Sequence, residues 1–151
     1  MTTPSSPGAP GAPPPPAVLV VEDEALVAML VADILAEAGH RPAWTPDGRF
    51  GPADPAAAVV DLRLADGLDG RDVVRRLRAH RPALPVVVVT GYLPDAPQAD
   101  LRGLGGPTLR LCKPFDCDEL AASLSAVMAV PATHLAAAPR RRQSDHSEVP
   151  A

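Results

Sequence analysis

Short apolar runs that each stop at a polar residue punctuate this chain. They are Val18–Val21 before Glu22 and Asp23, Ala57–Val60 before Asp61, Val86–Val89 before Thr90, and the run over residues 108–112 before Lys113. Runs that are apolar throughout, rather than alternating, suit strands buried on both faces of a parallel sheet. A weaker strand is expected near Pro42–Thr45. Helical spacing fills the gaps. From Glu24 to Ala38 the rows Leu26, Leu30, Ile34 and Val27, Val31, Leu35 predict one broad buried stripe, ended by Gly39. A second helix is expected from Asp69 or Gly70, with Val73, Val74 and Leu77 inward, Arg71, Arg75 and Arg78 on a solvated outer face, and Pro82 as its stop. A third opens at Asp116, whose spacing to Glu119 is that of a capping box, and buries Leu120, Leu124 and Met128. Residues 46–55 and 98–106 are rich in proline or glycine, so any helix there is short or irregular.

Strand and helix alternating about five times imply an α/β fold, a doubly wound parallel sheet with helices on both faces. In such sheets ligands bind outside the carboxyl ends of the strands. Glu22, Asp23, Asp61, Thr90 and Lys113 would then meet at one edge. Three carboxylates held together repel, and a hard divalent cation relieves that repulsion; oxygen-only ligands suit Mg²⁺. The Thr90 hydroxyl and the Lys113 ammonium suit the oxygens of a phosphoryl group. The set describes a carboxylate nucleophile, a metal site and two groups that hold a transferred phosphoryl.

Composition narrows the picture further. A chain of 151 residues has the size of one domain. Seven of its 20 prolines fall within residues 1–16, which carry no large apolar side chain and are expected to be a disordered tail. Residues 131–151 lose all periodicity, carry a small basic cluster at Arg140–Arg142, and are expected to be a second disordered tail. The domain expected between them, 17–130, has 11 Lys and Arg against 16 Asp and Glu, a balance of −5, which argues against direct nucleic-acid binding. There is no signal-peptide pattern and no run long enough to span a membrane. The two cysteines, Cys112 and Cys117, lack the partners of a zinc site, and a reduced cytoplasmic protein is expected.

The motifs VVEDE, VVDLRLADGLDG, VVTGY and CKPF, in this order over residues 17–130, resemble a receiver domain of the two-component response regulators. The resemblance implies a flavodoxin-like, five-stranded sheet of strand order 2-1-3-4-5, with helices 2 and 4 short or irregular. It implies that Asp61 accepts a phosphoryl group from a sensor histidine kinase or a histidine phosphotransfer protein. Asp23 and Asp61 would bind Mg²⁺ directly, Glu22 through water, and the backbone carbonyl of Arg63 would complete the protein ligands. Thr90 and Lys113 would hold the attached phosphoryl group, and the Lys113–Pro114 bond resembles one usually cis in the family. With no output domain expected after residue 130, the protein would be a single-domain regulator. It would signal to an unknown downstream protein by contact or phosphorelay, and would assist its own phosphoryl transfer and dephosphorylation without being an enzyme for a free substrate.

Two features depart from the family pattern. Arg110 stands where most receivers have a switch aromatic, and Thr-Gly-Tyr at 90–92 partly resembles the subgroup that lacks it. The loop 91–97 is then expected to transmit the signal, with Tyr92 as a mover. Two other readings remain: a degenerate receiver that only docks, and an aspartyl-phosphate phosphohydrolase of the haloacid dehalogenase type. In the latter a second aspartate would stand where this chain has Arg63.

Overall fold

The computed structural model describes residues 14–49 and 51–130. Residues 1–13 of the first expected tail, and all of the second over 131–151, lie outside the described residues. Five strands, β1 (Ala17–Val21), β2 (Arg41–Thr45), β3 (Ala57–Asp61), β4 (Val86–Thr90) and β5 (Thr108–Cys112), form one sheet in the order β2-β1-β3-β4-β5. Every neighbouring pair is parallel. The three central strands are buried along their whole length, which is why their sequences are unbroken apolar runs. The edge strands are half-exposed. In β2 the Arg41 amide donates to the Pro16 carbonyl at 2.8 Å and so faces β1. By the strand's alternation the nitrogen of residue 42 faces outward, and there proline carries no hydrogen.

Three α-helices cover the sheet: α1 (Ala25–Glu37), α2 (Gly70–His80) and α3 (Cys117–Met128). Residues of α1 and α3 pack with Val18, Val20 and Val87 on one face, while Val73 and Val74 of α2 pack with Leu19, Val21, Val60 and Val88 on the other. The expected fivefold alternation is thus reduced. Between β2 and β3 no α-helix forms among the described residues, and between β4 and β5 there is only a 3₁₀ turn at Pro97–Ala99. Proline, with Gly48 and Gly103, Gly105 and Gly106 at positive φ, stops helix growth in both places. No helix among the described residues is long and apolar enough to cross a membrane.

Two helix faces differ from the sequence reading. In α1 the buried residues are Ala28, Val31, Ile34 and Leu35, whereas Leu26 is 80% and Leu30 50% exposed. The helix is apolar almost all round, so periodicity alone fixed its rotation poorly. In α2, Arg78 is only 6% exposed rather than solvated. Its guanidinium donates to the carbonyls of Leu84 (2.8 and 3.1 Å), Leu104 (3.2 Å), Gly105 (2.8 Å) and Pro107 (2.6 Å) and to the Thr108 hydroxyl (2.9 Å). Burial pushes this group down to about 10. It satisfies carbonyls that no helix satisfies.

Candidate functional site

The site forms because parallel strands deliver their C-terminal tips to one edge. Glu22 and Asp23 follow β1, Asp61 ends β3, Thr90 ends β4, and Lys113 follows β5. One carboxylate oxygen from each of Glu22, Asp23 and Asp61 lies within 4.8 Å of the others. Lys113 Nζ stands 2.9 Å from Asp61 Oδ2 and 4.0 Å from Glu22 Oε1. Asp61 Oδ1 accepts from the Arg63 amide at 3.0 Å, and Arg63 itself is exposed. Thr90 is 1% exposed; its hydroxyl accepts from the Tyr92 amide at 2.8 Å, and its carbonyl accepts from the Lys113 amide at 2.8 Å. That last bond fixes where the lysine leaves β5. The Lys113–Pro114 peptide is cis.

The charges are unevenly solvated. Glu22 is 4% exposed, and burial, reinforced by the negative charge of Asp61, raises its carboxyl to about 7 against the pull of the Glu24 amide and Lys113. Burial works against the charge on Lys113, but its hydrogen bond and charge interaction with Asp61, with help from Glu22, outweigh that and raise its pKa. A buried acid that resists ionisation beside two further carboxylates is a set of donors short of positive charge. Its all-oxygen chemistry fits Mg²⁺, which tolerates few protein ligands and retains water.

Two residues that sequence reasoning did not single out shape the site. Gly70, at the start of α2, has its Cα so near β3 that an added Cβ would fall 2.2 Å from the Asp61 carbonyl oxygen and 2.7 Å from Leu62 Cα. Its amide donates to the Leu62 carbonyl at 2.8 Å. Trp44 of β2 donates its indole N–H to the Glu22 carbonyl at 2.7 Å, while the Glu22 amide donates to Thr45 O at 3.2 Å. The backbone that presents Glu22 is thereby held by β2 at both its amide and its carbonyl. The Asp-Gly pair at 69–70 was a visible turn signal; the indole contact depends on strand order and left none.

Residues 18–125 match the model of the response regulator receiver domain family. The transcriptional regulatory protein TcrA of Mycobacterium tuberculosis is 41% identical over 118 residues, covering 73% of this chain and 45% of its own length. The photosynthetic apparatus regulatory protein RegA of Rhodovulum sulfidophilum is 37% identical over 114 residues, covering 72% of this chain and 61% of its own length. This chain thus spans about half the length of these curated relatives. Among solved structures, a CheY-like receiver domain protein from Methanospirillum hungatei superposes with a TM-score of 0.67 at 18% identity, covering 76% of this chain and 94% of that one. The receiver domain of the Pseudomonas aeruginosa sensor histidine kinase PA1611, solved with magnesium in its active-site cleft, gives a TM-score of 0.64 at 24% identity over 76% of this chain and 98% of its own.

Proposed function

Because the chain belongs to the response regulator receiver domain family, we propose that Asp61 is its phosphoacceptor. Its donor is a phosphohistidine on a sensor histidine kinase or a histidine phosphotransfer protein. In the transfer an Asp61 carboxylate oxygen bonds to phosphorus as the phosphorus–nitrogen bond to histidine breaks, and the imidazole leaves. Asp23, Asp61 and the main-chain carbonyl of Arg63 would hold Mg²⁺, with Glu22 helping through water, and the ion would neutralise charge on the phosphoryl oxygens. Lys113, on Asp61 Oδ2 at 2.9 Å, moves its ammonium to a phosphoryl oxygen once Asp61 is modified. The Thr90 hydroxyl, which accepts from the Tyr92 amide, donates its own O–H to the phosphoryl group. That Lys113–Asp61 contact within the Glu22, Asp23 and Asp61 cluster carries the reading, since a lysine held against the central acid serves a transient anion better than a bare metal.

The domain is a signalling element of the cytoplasm, occupying about residues 17–130, and does not turn over a free substrate. It assists its own phosphorylation and dephosphorylation and passes the signal on by protein contact or phosphorelay. The excess of 16 acidic over 11 basic residues in this span directs its own contacts toward protein rather than nucleic acid or membrane. Incubation with candidate kinases, labelled ATP and Mg²⁺ tests the proposal. Label should enter the intact chain and be absent from Asp61→Asn. Equal labelling of the two chains overturns it, and partner binding and signalling unchanged by Asp61→Asn would favour a pure docking module.

A further inference from the structure

The chain between β4 and β5 lacks an α-helix, yet it is tied down by arginine side chains from outside the segment. Arg71, in the first turn of α2, is the central one. Its Nε lies 3.2 and 3.1 Å from the two Asp69 oxygens and its Nη2 2.7 Å from Oδ2, while Nη1 donates to the carbonyls of Pro97 (3.1 Å) and Asp100 (3.3 Å). The Arg71 side chain is 21% exposed. From β5, Arg110 Nη2 donates to the carbonyl of the fully buried Ala99 at 2.6 Å. Carbonyls of residues 97, 99 and 100 are therefore held from two directions.

Asp69 belongs to the loop that leaves Asp61. Residues 63 and 69 bridge across this loop, the Gly70 amide bonds the Leu62 carbonyl, and the Arg63 amide bonds Asp61 Oδ1. One guanidinium thus joins the loop after Asp61 to the segment after Thr90. Hydrogen bonding to Arg71 is the chief reason that the Asp69 carboxyl stays below its ordinary value. A planar fork can serve two partners at once only while both keep their places.

We propose that Arg71 is a latch that fastens the Pro97–Asp100 turn to the loop leaving Asp61, and that modification of Asp61 weakens it. The coupling rests on the reading of Asp61 as phosphoacceptor; the latch itself does not. A group on Asp61 removes the carboxylate's charge and so weakens the bond it accepts from the Arg63 amide, shifting Arg63 and with it Asp69. The bonds to the neutral carbonyls of Pro97 and Asp100 lack the charge that strengthens the pair with Asp69 and are lost first.

Amide hydrogen exchange on the full chain tests both parts. Ala99 and Asp100, whose amides bond the carbonyls of Ala96 and Pro97, are the reporters. Both Arg71→Ala and Arg71→Lys should speed their exchange about tenfold while the amides of Val74, Leu77 and the central strands keep their rates. Lysine retains the charge but cannot span both partners. Unchanged rates at the reporters, or equal acceleration throughout α2 and the sheet, overturn the latch. Beryllium fluoride with Mg²⁺, added to the unmutated chain, should shift the Arg63 and Thr90 amides and speed exchange at Ala99 and Asp100, with no further gain in Arg71→Ala. Shifts at Arg63 and Thr90 without any change at the reporters overturn the coupling. No shift at Arg63 or Thr90 overturns the phosphoacceptor reading and leaves the substitutions to judge the latch.

Discussion

At the scale of residues, the position of Asp61 depends on a neighbour with no side chain. A methyl group on Gly70 would meet main-chain atoms of Asp61 and Leu62 at 2.2–2.9 Å, and backbone cannot swing aside as a flexible side chain can. Gly70→Ala should therefore cost about 3 kcal/mol in a denaturant titration and weaken Mg²⁺ binding, although residue 70 contributes no ligand. The five polar groups at the strand tips were legible in sequence because each ends an apolar run, so the position of the chemistry followed from the position of the strand. Gly70 and Trp44 were not legible in their roles. One depends on how closely a helix start approaches a strand, and the other on β2 lying beside β1.

The elements differ in how well pattern specified them. α3 was readable because its start is chemical: Asp116 accepts from the Glu119 amide at 2.8 Å and Glu119 accepts from the Asp116 amide at 2.9 Å. α1 was placed correctly but rotated wrongly, since apolar residues surround it. Leu30→Ser, on the exposed side, should change stability by less than about 0.5 kcal/mol. Leu35→Ala, at a fully buried position, should cost about 3 kcal/mol in the same titration. α2 was misread at Arg71 and Arg78, because spacing assigns a face but not what lies over it; here that is a segment whose carbonyls these arginines, rather than a helix, satisfy. Asp69 caps this helix and its carboxyl lies below its ordinary value of 3.8, chiefly through its hydrogen bond to Arg71. A carboxylate with a depressed folded-state value stabilises the fold above its unfolded value and loses that effect as pH falls through the folded value. The stability difference between the unmutated chain and Arg71→Ala should therefore be full above the ordinary aspartate value of 3.8 and shrink as pH falls below it, down to what the bonds to Pro97 and Asp100 contribute.

For the whole molecule, the strands were legible from five short runs and the sheet order from the resemblance to receiver domains, while the number of helices was not. The absent helices lie in stretches whose glycines and prolines weaken a helix signal without saying what replaces it. Three acids gather at the tips of β1 and β3, and their mutual repulsion, only partly relieved by Lys113, opposes folding. Mg²⁺ at ten times its dissociation constant should raise the Tm by about 5 °C. A chelator should reverse the rise, and Asp61→Ala should abolish most of it. The chain's single tryptophan, Trp44, is bonded to the Glu22 carbonyl, so its fluorescence should titrate with the same midpoint.

The outward nitrogen of Pro42 bears on the life of the protein in a crowded solution. A parallel sheet of five strands ends in two open rims, and a rim with free donors invites a strand from another chain to add to it. On β2 one of the two outward places where such a strand would seek an N–H, residue 42, offers only a ring carbon, and Trp44 is the other. The rim is blunted there without any covering helix, so the short link between β2 and β3 need not make the molecule prone to edge-to-edge aggregation.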